Sequence, residues 1–510
     1  MAEQFGTRSY FEAPDYIVCG GMLLASLAIG LYYGLSGDRQ RTSSEYILAN
    51  RQMSFLPATL SLIASFSSGI SVQGIPADVY YHGPMLIWFM LPMTLGAVLS
   101  MLFFMPMYYR LGMTSVYTYL DLRFNTVVQI CGIISFLLFT LLYLGLITYT
   151  ACVAVTAVTG ISLEAAIVGS CIVCAIYTVI GGIKAVLWTD SLQMILMLAA
   201  VIAIIIKGSM ELDGFGNVWR IASEGQRTNF FEFDMDFTDF YNGWGFTVGQ
   251  ITYINWTINN QYMVQRFVVC KSEAVARACI VGYIVGEFIF VVLLILAGFT
   301  IYAYYEGCDP LTLGYTTKND QIVPYFVVDV FGHLPAVPGL LLAGLFGAAL
   351  STLSSVLNAN ATLVGEHFVK PIWKEMSDPT YTIVLKMIVV AFAVITLGSA
   401  FLVPAIGDAV PVMVTLNGGF HGTLLALYVL GAFVPWCGPK GAVSGYVVGL
   451  AVALTMSIGS VIYAPPPQNL QLSGEFCLND TQLSGTEVTQ LVTAWDSNIT
   501  VSNIENQRSA

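Results

Sequence analysis

The chain has 510 residues, 56% of them hydrophobic and only 10% charged, whereas a soluble globular domain is about one quarter charged. That composition excludes a soluble enzyme or a basic nucleic-acid binder and reads as a polytopic membrane protein forming one membrane domain with loops. The formal net charge of −12 says little about ligands, because the acids gather in the two longest apparent loops, 208–242 and 465–510, where solvation is reason enough.

Apolar runs of the roughly 20 residues that a spanning helix needs fall at about 15–36, 55–80, 84–109, 126–158, 162–181, 184–207, 243–265, 275–304, 336–364, 381–405, 409–436 and 440–464. The expected fold class is therefore all-α, with about twelve transmembrane helices. If the spans alternate, most of the 19 Lys and Arg, Arg266 among them, fall on one side, which the positive-inside rule makes cytoplasmic. The N-terminus is then extracellular, in a multi-pass protein of the plasma membrane. The opening segment MAEQFGTRSYFEAP lacks a basic stretch, so the first run reads as an uncleaved span and not a signal peptide. The sequons at Asn479 and Asn498 lie in the C-terminal tail, on the side where glycosylation occurs. Of the ten cysteines, only Cys308 and Cys477 look extracellular, and they are the candidate disulfide in that oxidising compartment.

Polar residues inside the spans carry the functional information. The second run, ASFSSGISVQGIPADVYYHG, concentrates Ser65, Ser67, Ser68, Ser71, Gly69, Gly74 and Pro76 at mid-span. Backbone freed from a helix at that depth survives only where it lines a cavity or is buried in protein. The seventh run, GWGFTVGQITYINWTINNQYMVQRF, is interrupted in the same way. Two broken spans at corresponding positions point to an inverted repeat with its binding site between them. The expected division is 1–54 for the N-terminus, first helix and following loop, 55–207 for one five-helix repeat and 208–242 for an extracellular loop. A second repeat follows at 243–436, a twelfth helix at 437–464 and an extracellular tail at 465–510.

In the ninth run, AALSTLSSVLNAN, helical spacing aligns Ser351, Ser355 and Asn358 on one face with Thr352 beside them. A stripe of hard neutral oxygens suits an alkali cation. Asp190, about six residues into its span after Lys184, supplies an intramembrane anion, a functional-site candidate by default because a charge there costs about 2.5–3.5 kcal/mol on the insertion scale. Gln193 shares its face.

The pieces GGIKAVLWTDSLQ, NNQYMVQRF and AALSTLSSVLNA, with the broken ASFSSGISVQGIP helix, resemble the sodium/solute symporter family, in particular its iodide, monocarboxylate and multivitamin branch. The resemblance covers nearly all twelve spans. It implies a LeuT-like 5+5 inverted repeat with flanking helices and sodium-driven alternating access, with sodium as the transported ion. Carried over residue by residue, it implies a sodium site of the carbonyls of Ala64, Ser67 and Ala348 and the hydroxyls of Ser351 and Thr352. It also implies a second cation or coupling cluster of Ser65, Ser68, Tyr143, Asp190, Gln193 and Gln261. Where the iodide carrier has glutamine, this chain has Ser71, a smaller group that favours a larger organic anion, a monocarboxylate or a vitamin-like carboxylate. An inorganic-anion symporter, a sugar symporter and a non-transporting solute sensor are the alternatives.

Trp88 and Trp256 are further candidates for the pocket. No intramembrane arginine is expected to pair with a substrate carboxylate, so helix ends, hydroxyls and bound sodium itself are expected to hold it. Glu287, in VGEFIFVV, faces lipid unless its span turns it inward and receives no role. His421 reads as a hydrogen-bonded packing histidine, with a group that tunes pH dependence as the alternative, and Glu366 and His367 read as interfacial. No HExxH, GxSxG, P-loop or Cys/His ligand spacing appears, so no enzyme is expected. The expected partners are a small solute and the lipid bilayer, with no nucleic acid. The family ordinarily carries a thirteenth span, and the resemblance leaves this chain's last residues in the extracellular loop before it, with the core from the second to the eleventh span complete.

Overall fold

The computed structural model describes residues 11–36, 40, 42–235, 240–403, 409–463 and 469–474. Asn479, Asn498 and Cys477 lie outside them. Cys308 is disulfide-bonded, and the eight other described cysteines are free thiols.

Nine described helices are long and apolar enough to cross a membrane, with a tenth span if one sharply bent pair counts as a unit. The first, α1 (Ala13–Leu35), is followed by that pair, α2 (Phe55–Phe66) and α3 (Gly69–His82), which meet at 56°. Then come α4 (Pro84–Arg110), α5 (Thr126–Thr159) and α6 (Leu163–Glu211). The Asn125 side chain caps α5 by accepting from the Val128 N–H at 3.0 Å, and Ser162 caps α6 through the Ala165 N–H, each satisfying one donor that a helix start leaves free.

The two runs expected at 162–181 and 184–207 are the two helical segments of α6, which meet at a kink at Gly182. The 49 residues of α6 would extend roughly 74 Å at 1.5 Å per residue, far beyond a hydrocarbon core of about 30 Å. Gly182 makes the turn with φ 59° and ψ −161°, a region essentially reserved for glycine. A Cβ there would lie 2.8 Å from both the Tyr46 ring and its carbonyl oxygen. Gly182→Ala is therefore expected to destabilise the protein by about 1–3 kcal/mol, read as a lower thermal midpoint in detergent; a variant that melts with wild type shows that the turn does not depend on this residue.

The loop expected at 208–242 contains a further helix, α7 (Phe215–Glu224), whose Val218, Ile221 and Ala222 are buried at helical spacing. The seventh run is irregular over 245–254, forms the single turn α8 (Asn255–Ile258), breaks at Asn259 and Asn260, and resumes as α9 (Gln261–Val268). Both breaks expected from the glycines and amides are thus present. After them stand α10 (Glu273–Tyr304), the short α11 (Ile322–Phe331), α12 (Val337–Val364), α13 (Asp378–Ala400), α14 (Ala409–Phe433) and α15 (Pro439–Tyr463).

Burial orders these helices. In α12, 89% of the most apolar window is buried, against 22% in α1 and 11% in α15, so the hydroxyl-bearing helix runs through the centre while the first and last lie at the rim. The approaches to the two broken segments are tied together, since the Met53 N–H donates to the Val269 carbonyl and the Lys271 N–H to the Met53 carbonyl, each at 3.1 Å.

Candidate functional site

The α2–α3 break lies directly against α12. A Cβ built on Gly69 would sit 3.2 Å from Ala349 Cβ, and the Ser65 and Ser355 hydroxyls are 3.3 Å apart. Between the two helices the chain leaves helical geometry at Ser67 (ψ 71°) and Ser68 (ψ 172°), which exposes carbonyls at the end of α2 and N–H groups at the start of α3.

Three helices converge on Asp190 of α6. Its Oδ2 accepts from Ser61 of α2 at 2.6 Å, from Arg266 of α9 at 3.0 Å and from Ser355 of α12 at 3.4 Å, while Oδ1 accepts from Ser351 at 2.8 Å. Arg266 also donates to Ser61 Oγ at 2.7 Å and bonds the Tyr262 carbonyl and the Ser355 hydroxyl. Both charged side chains are fully buried. Arg266, expected on the cytoplasmic side with most of the basic residues, is instead buried within the bundle, so an intramembrane arginine is present and already engaged by a protein carboxylate.

The remaining expected residues divide as follows. Ala64 and Ala348 are buried, and the Ala348 carbonyl accepts from the Thr352 hydroxyl one turn on at 3.2 Å. Ser67 donates to both carboxylate oxygens of Glu287, at 3.1 and 3.3 Å, so α10 turns Glu287 inward to the break and not to lipid. Gln193 is wholly buried with neither amide atom partnered, and it packs on Gly347, where a Cβ would lie 3.2 Å from its Cγ. Gln261 is turned elsewhere, accepting from the Val116 N–H at 3.0 Å and donating to the Thr114 carbonyl at 2.9 Å. His421 bonds Asn417 at 2.6 Å and packs on Phe139 and Trp256.

Beside the break a cavity is lined by Phe66, Ser68, Ser71, Asp78, Phe89, Tyr143, Tyr253 and Trp256, among others. Its aromatic wall is packed edge-on, with Phe66 and Trp256 at 5.6 Å and Tyr143 and Trp256 at 6.2 Å between ring centroids, favoured arrangements for aromatic pairs. Trp88 is not part of that wall. Its indole N–H donates to the Phe230 carbonyl at 2.7 Å and its ring packs on Phe231 and Phe233.

Three residues of the site had no role in the sequence reading, namely Arg266, Glu287 and Asp78. Each carried one signal, an ionisable side chain within or at the end of an apolar run, and none carried a signal of its partner.

A membrane bundle whose central helix offers a hydroxyl row to a broken neighbour, with an aromatic cavity beside the break, has the construction of a LeuT-like secondary transporter. The profile of the sodium:solute symporter family matches residues 46–449, and the chain belongs to that family. Among curated proteins it is 35% identical over 472 residues to sodium-coupled monocarboxylate transporter 2 of Mus musculus, covering 92% of this chain and 76% of that one. It is 35% identical over 473 residues to the sodium/iodide cotransporter of Homo sapiens, covering 92% and 74%. Among solved structures, a sodium-coupled sialic acid symporter in a substrate-bound outward-open state superposes with a TM-score of 0.76 at 23% identity, covering 89% of this chain and 99% of that one. The protein is a multi-pass, sodium-coupled solute symporter and not an enzyme.

Proposed function

We propose that this symporter imports a small organic anion, a monocarboxylate or vitamin-like carboxylate, and that sodium binds where α12 meets the α2–α3 break. The carbonyls of Ala64, Ser67 and Ala348 and the hydroxyls of Ser351 and Thr352 replace the ion's hydration shell. The observation that carries this reading is the direct packing of Gly69 on Ala349 beside the Ser65–Ser355 hydroxyl pair, which brings the freed carbonyls and the hydroxyl row to one place.

A cation among neutral oxygens needs a compensating charge. Asp190 is already balanced by Arg266, whereas Glu287 has no ion pair among the described residues and touches Ser67 itself. Glu287 therefore supplies the negative charge. Asp190, with Ser65, Ser355 and the unpartnered Gln193, forms the coupling cluster on the other side of the row, and Ser68, Ser71, Tyr143 and Trp256 face the substrate. Residues 55–207 and 243–436 are the two repeats that rock about this site, with the N-terminus outside the cell. The similarity to sodium-coupled monocarboxylate transporters and the glutamine-to-Ser71 departure from the iodide carrier together favour an organic anion over iodide, since the smaller side chain leaves more room in the cavity.

Uptake of labelled lactate, butyrate, biotin, pantothenate and iodide into cells expressing the protein, with sodium replaced by choline, tests this. At least one carboxylate is expected to enter about tenfold or more faster with sodium than with choline. Iodide as the sole sodium-dependent solute overturns the organic-anion assignment, and uptake indifferent to sodium overturns the ion site.

A further inference from the structure

The cavity has two chemically different ends. Near the break stand Ser68, Ser71 and the Tyr143 phenol, and the far end is Asp78 on the same helix as Ser68's neighbour Gly69. Ten residues separate Ser68 from Asp78, about 15 Å along a helix at 1.5 Å per residue, and Ile75, Phe89 and Tyr253 also line the cavity.

Asp78 is 7% exposed, and its two oxygens have unequal surroundings. Oδ1 accepts from the Tyr241 hydroxyl at 2.5 Å and lies 3.3 Å from His82 Nδ1, whose ring stacks on Tyr241 at 4.1 Å. Oδ2 is buried with no donor. A buried acceptor left without a donor costs about 1–3 kcal/mol, more if charged, so an oxygen kept in that condition on a residue that lines the cavity is the complement of a donor that arrives with the ligand.

We infer that the substrate carries a hydrogen-bond donor at the end opposite its carboxylate, and that Asp78 selects it. The inference rests on the organic-anion reading above. The carboxylate sits at the first turn of α3, where free N–H groups and the helix dipole favour an anion, among the hydroxyls and beside sodium. The apolar middle lies on the aromatic wall. A hydroxyl, amide or ureido N–H at the far end donates to Asp78 Oδ2. The ligand class is thus an extended carboxylate with a distal donor, and short unsubstituted acids such as propionate are poor substrates because they leave Oδ2 bare.

The test compares sodium-dependent uptake of labelled octanoate and 8-hydroxyoctanoate, two probes that differ only in the distal hydroxyl, with surface protein quantified by biotinylation. In wild type the KM for the hydroxy acid is expected to be about tenfold below that for octanoate, and in Asp78→Asn the two values converge to within about twofold. Asp78→Glu retains the carboxylate on an arm longer by one methylene, so it keeps the preference and moves the best chain to 7-hydroxyheptanoate. That variant separates loss of selectivity from loss of folding. Equal KM values in wild type, a preference that survives in Asp78→Asn, or absence of sodium-dependent uptake of the hydroxy acid overturns the inference. Sodium-driven uptake of octanoate without any hydroxyl preference overturns this inference alone and leaves the organic-anion reading standing. Uptake of both acids that ignores sodium overturns that reading as well.

Discussion

Arg266→Ala is expected to destabilise this protein by about 3–5 kcal/mol, the usual result of removing one partner from a buried ion pair. The guanidinium bonds Asp190, Ser61, Ser355 and the Tyr262 carbonyl, so its removal unpartners groups on α2, α6, α9 and α12 at once. Asp190 suffers most, since it becomes a wholly buried carboxylate with only hydroxyl donors. Asp190→Asn alone leaves the opposite fault, a buried guanidinium without its anion. The double variant Asp190→Asn with Arg266→Ala keeps a hydrogen-bonding amide at position 190 and carries no buried charge. Its loss is therefore expected to fall at least 2 kcal/mol short of the sum of the single losses, the sign and scale of coupling between contacting residues. Thermal unfolding of the detergent-solubilised protein, followed by fluorescence-detected gel filtration, reads all four states of this cycle. Strict additivity of the single effects would show that the two side chains do not act as a pair.

This ion pair also marks the limit of what the sequence discloses. Asp190 was legible because an acid six residues inside an apolar run is expensive in lipid and stands out against its neighbours. Its partner was not. Arg266 falls near the end of its run, where a long basic side chain ordinarily snorkels to the interface, and nothing in NNQYMVQRF fixes which way α9 is rotated. The same uncertainty of rotation governs Gln261, which shares that run but turns to the backbone at Thr114 and Val116, and Trp88, which turns to Phe230.

Backbone features were read more securely than contacts. The glycine and serine density at 65–76 and the amides at 255–261 both locate breaks, because each local residue choice opposes a continuous helix. The Gly181-Gly182 pair separates two expected spans and holds the kink at which the two helical segments of α6 meet. Phe215–Glu224 falls within an expected loop although Val218, Ile221 and Ala222 recur at helical spacing, since ten residues with mixed polarity are a weak periodic signal beside twelve long apolar runs. Glu287 shows the complementary failure. Its sequence context is apolar all round, so neither inward nor outward placement was favoured until α10 was packed against the break, with Ser67 as its partner.

Thr352→Val should raise the sodium concentration for half-maximal uptake about tenfold while leaving the maximal rate at saturating sodium within about threefold of wild type. The substitution removes one oxygen, retains volume and disturbs little else, because the hydroxyl's own bond is to the Ala348 carbonyl one turn back; a tenfold shift corresponds to about 1.4 kcal/mol. Ser351→Ala is the less clean probe, since the Ser351 hydroxyl also donates to Asp190 at 2.8 Å. Combining it with Thr352→Val should carry the half-saturating sodium up about a hundredfold, beyond physiological concentrations. Glu287→Gln gives an independent reading of the same site. It keeps an acceptor for the Ser67 hydroxyl but removes the charge, so it too should weaken sodium while sparing the rate at saturation. Sodium and substrate that stabilise each other must do so reciprocally, and each variant should therefore raise the substrate KM at limiting sodium more than at saturating sodium. Wild-type sodium dependence in both Thr352→Val and Glu287→Gln would remove the ion from the α2–α3 break, and a loss of maximal rate with unchanged sodium affinity would assign these side chains to the conformational step instead.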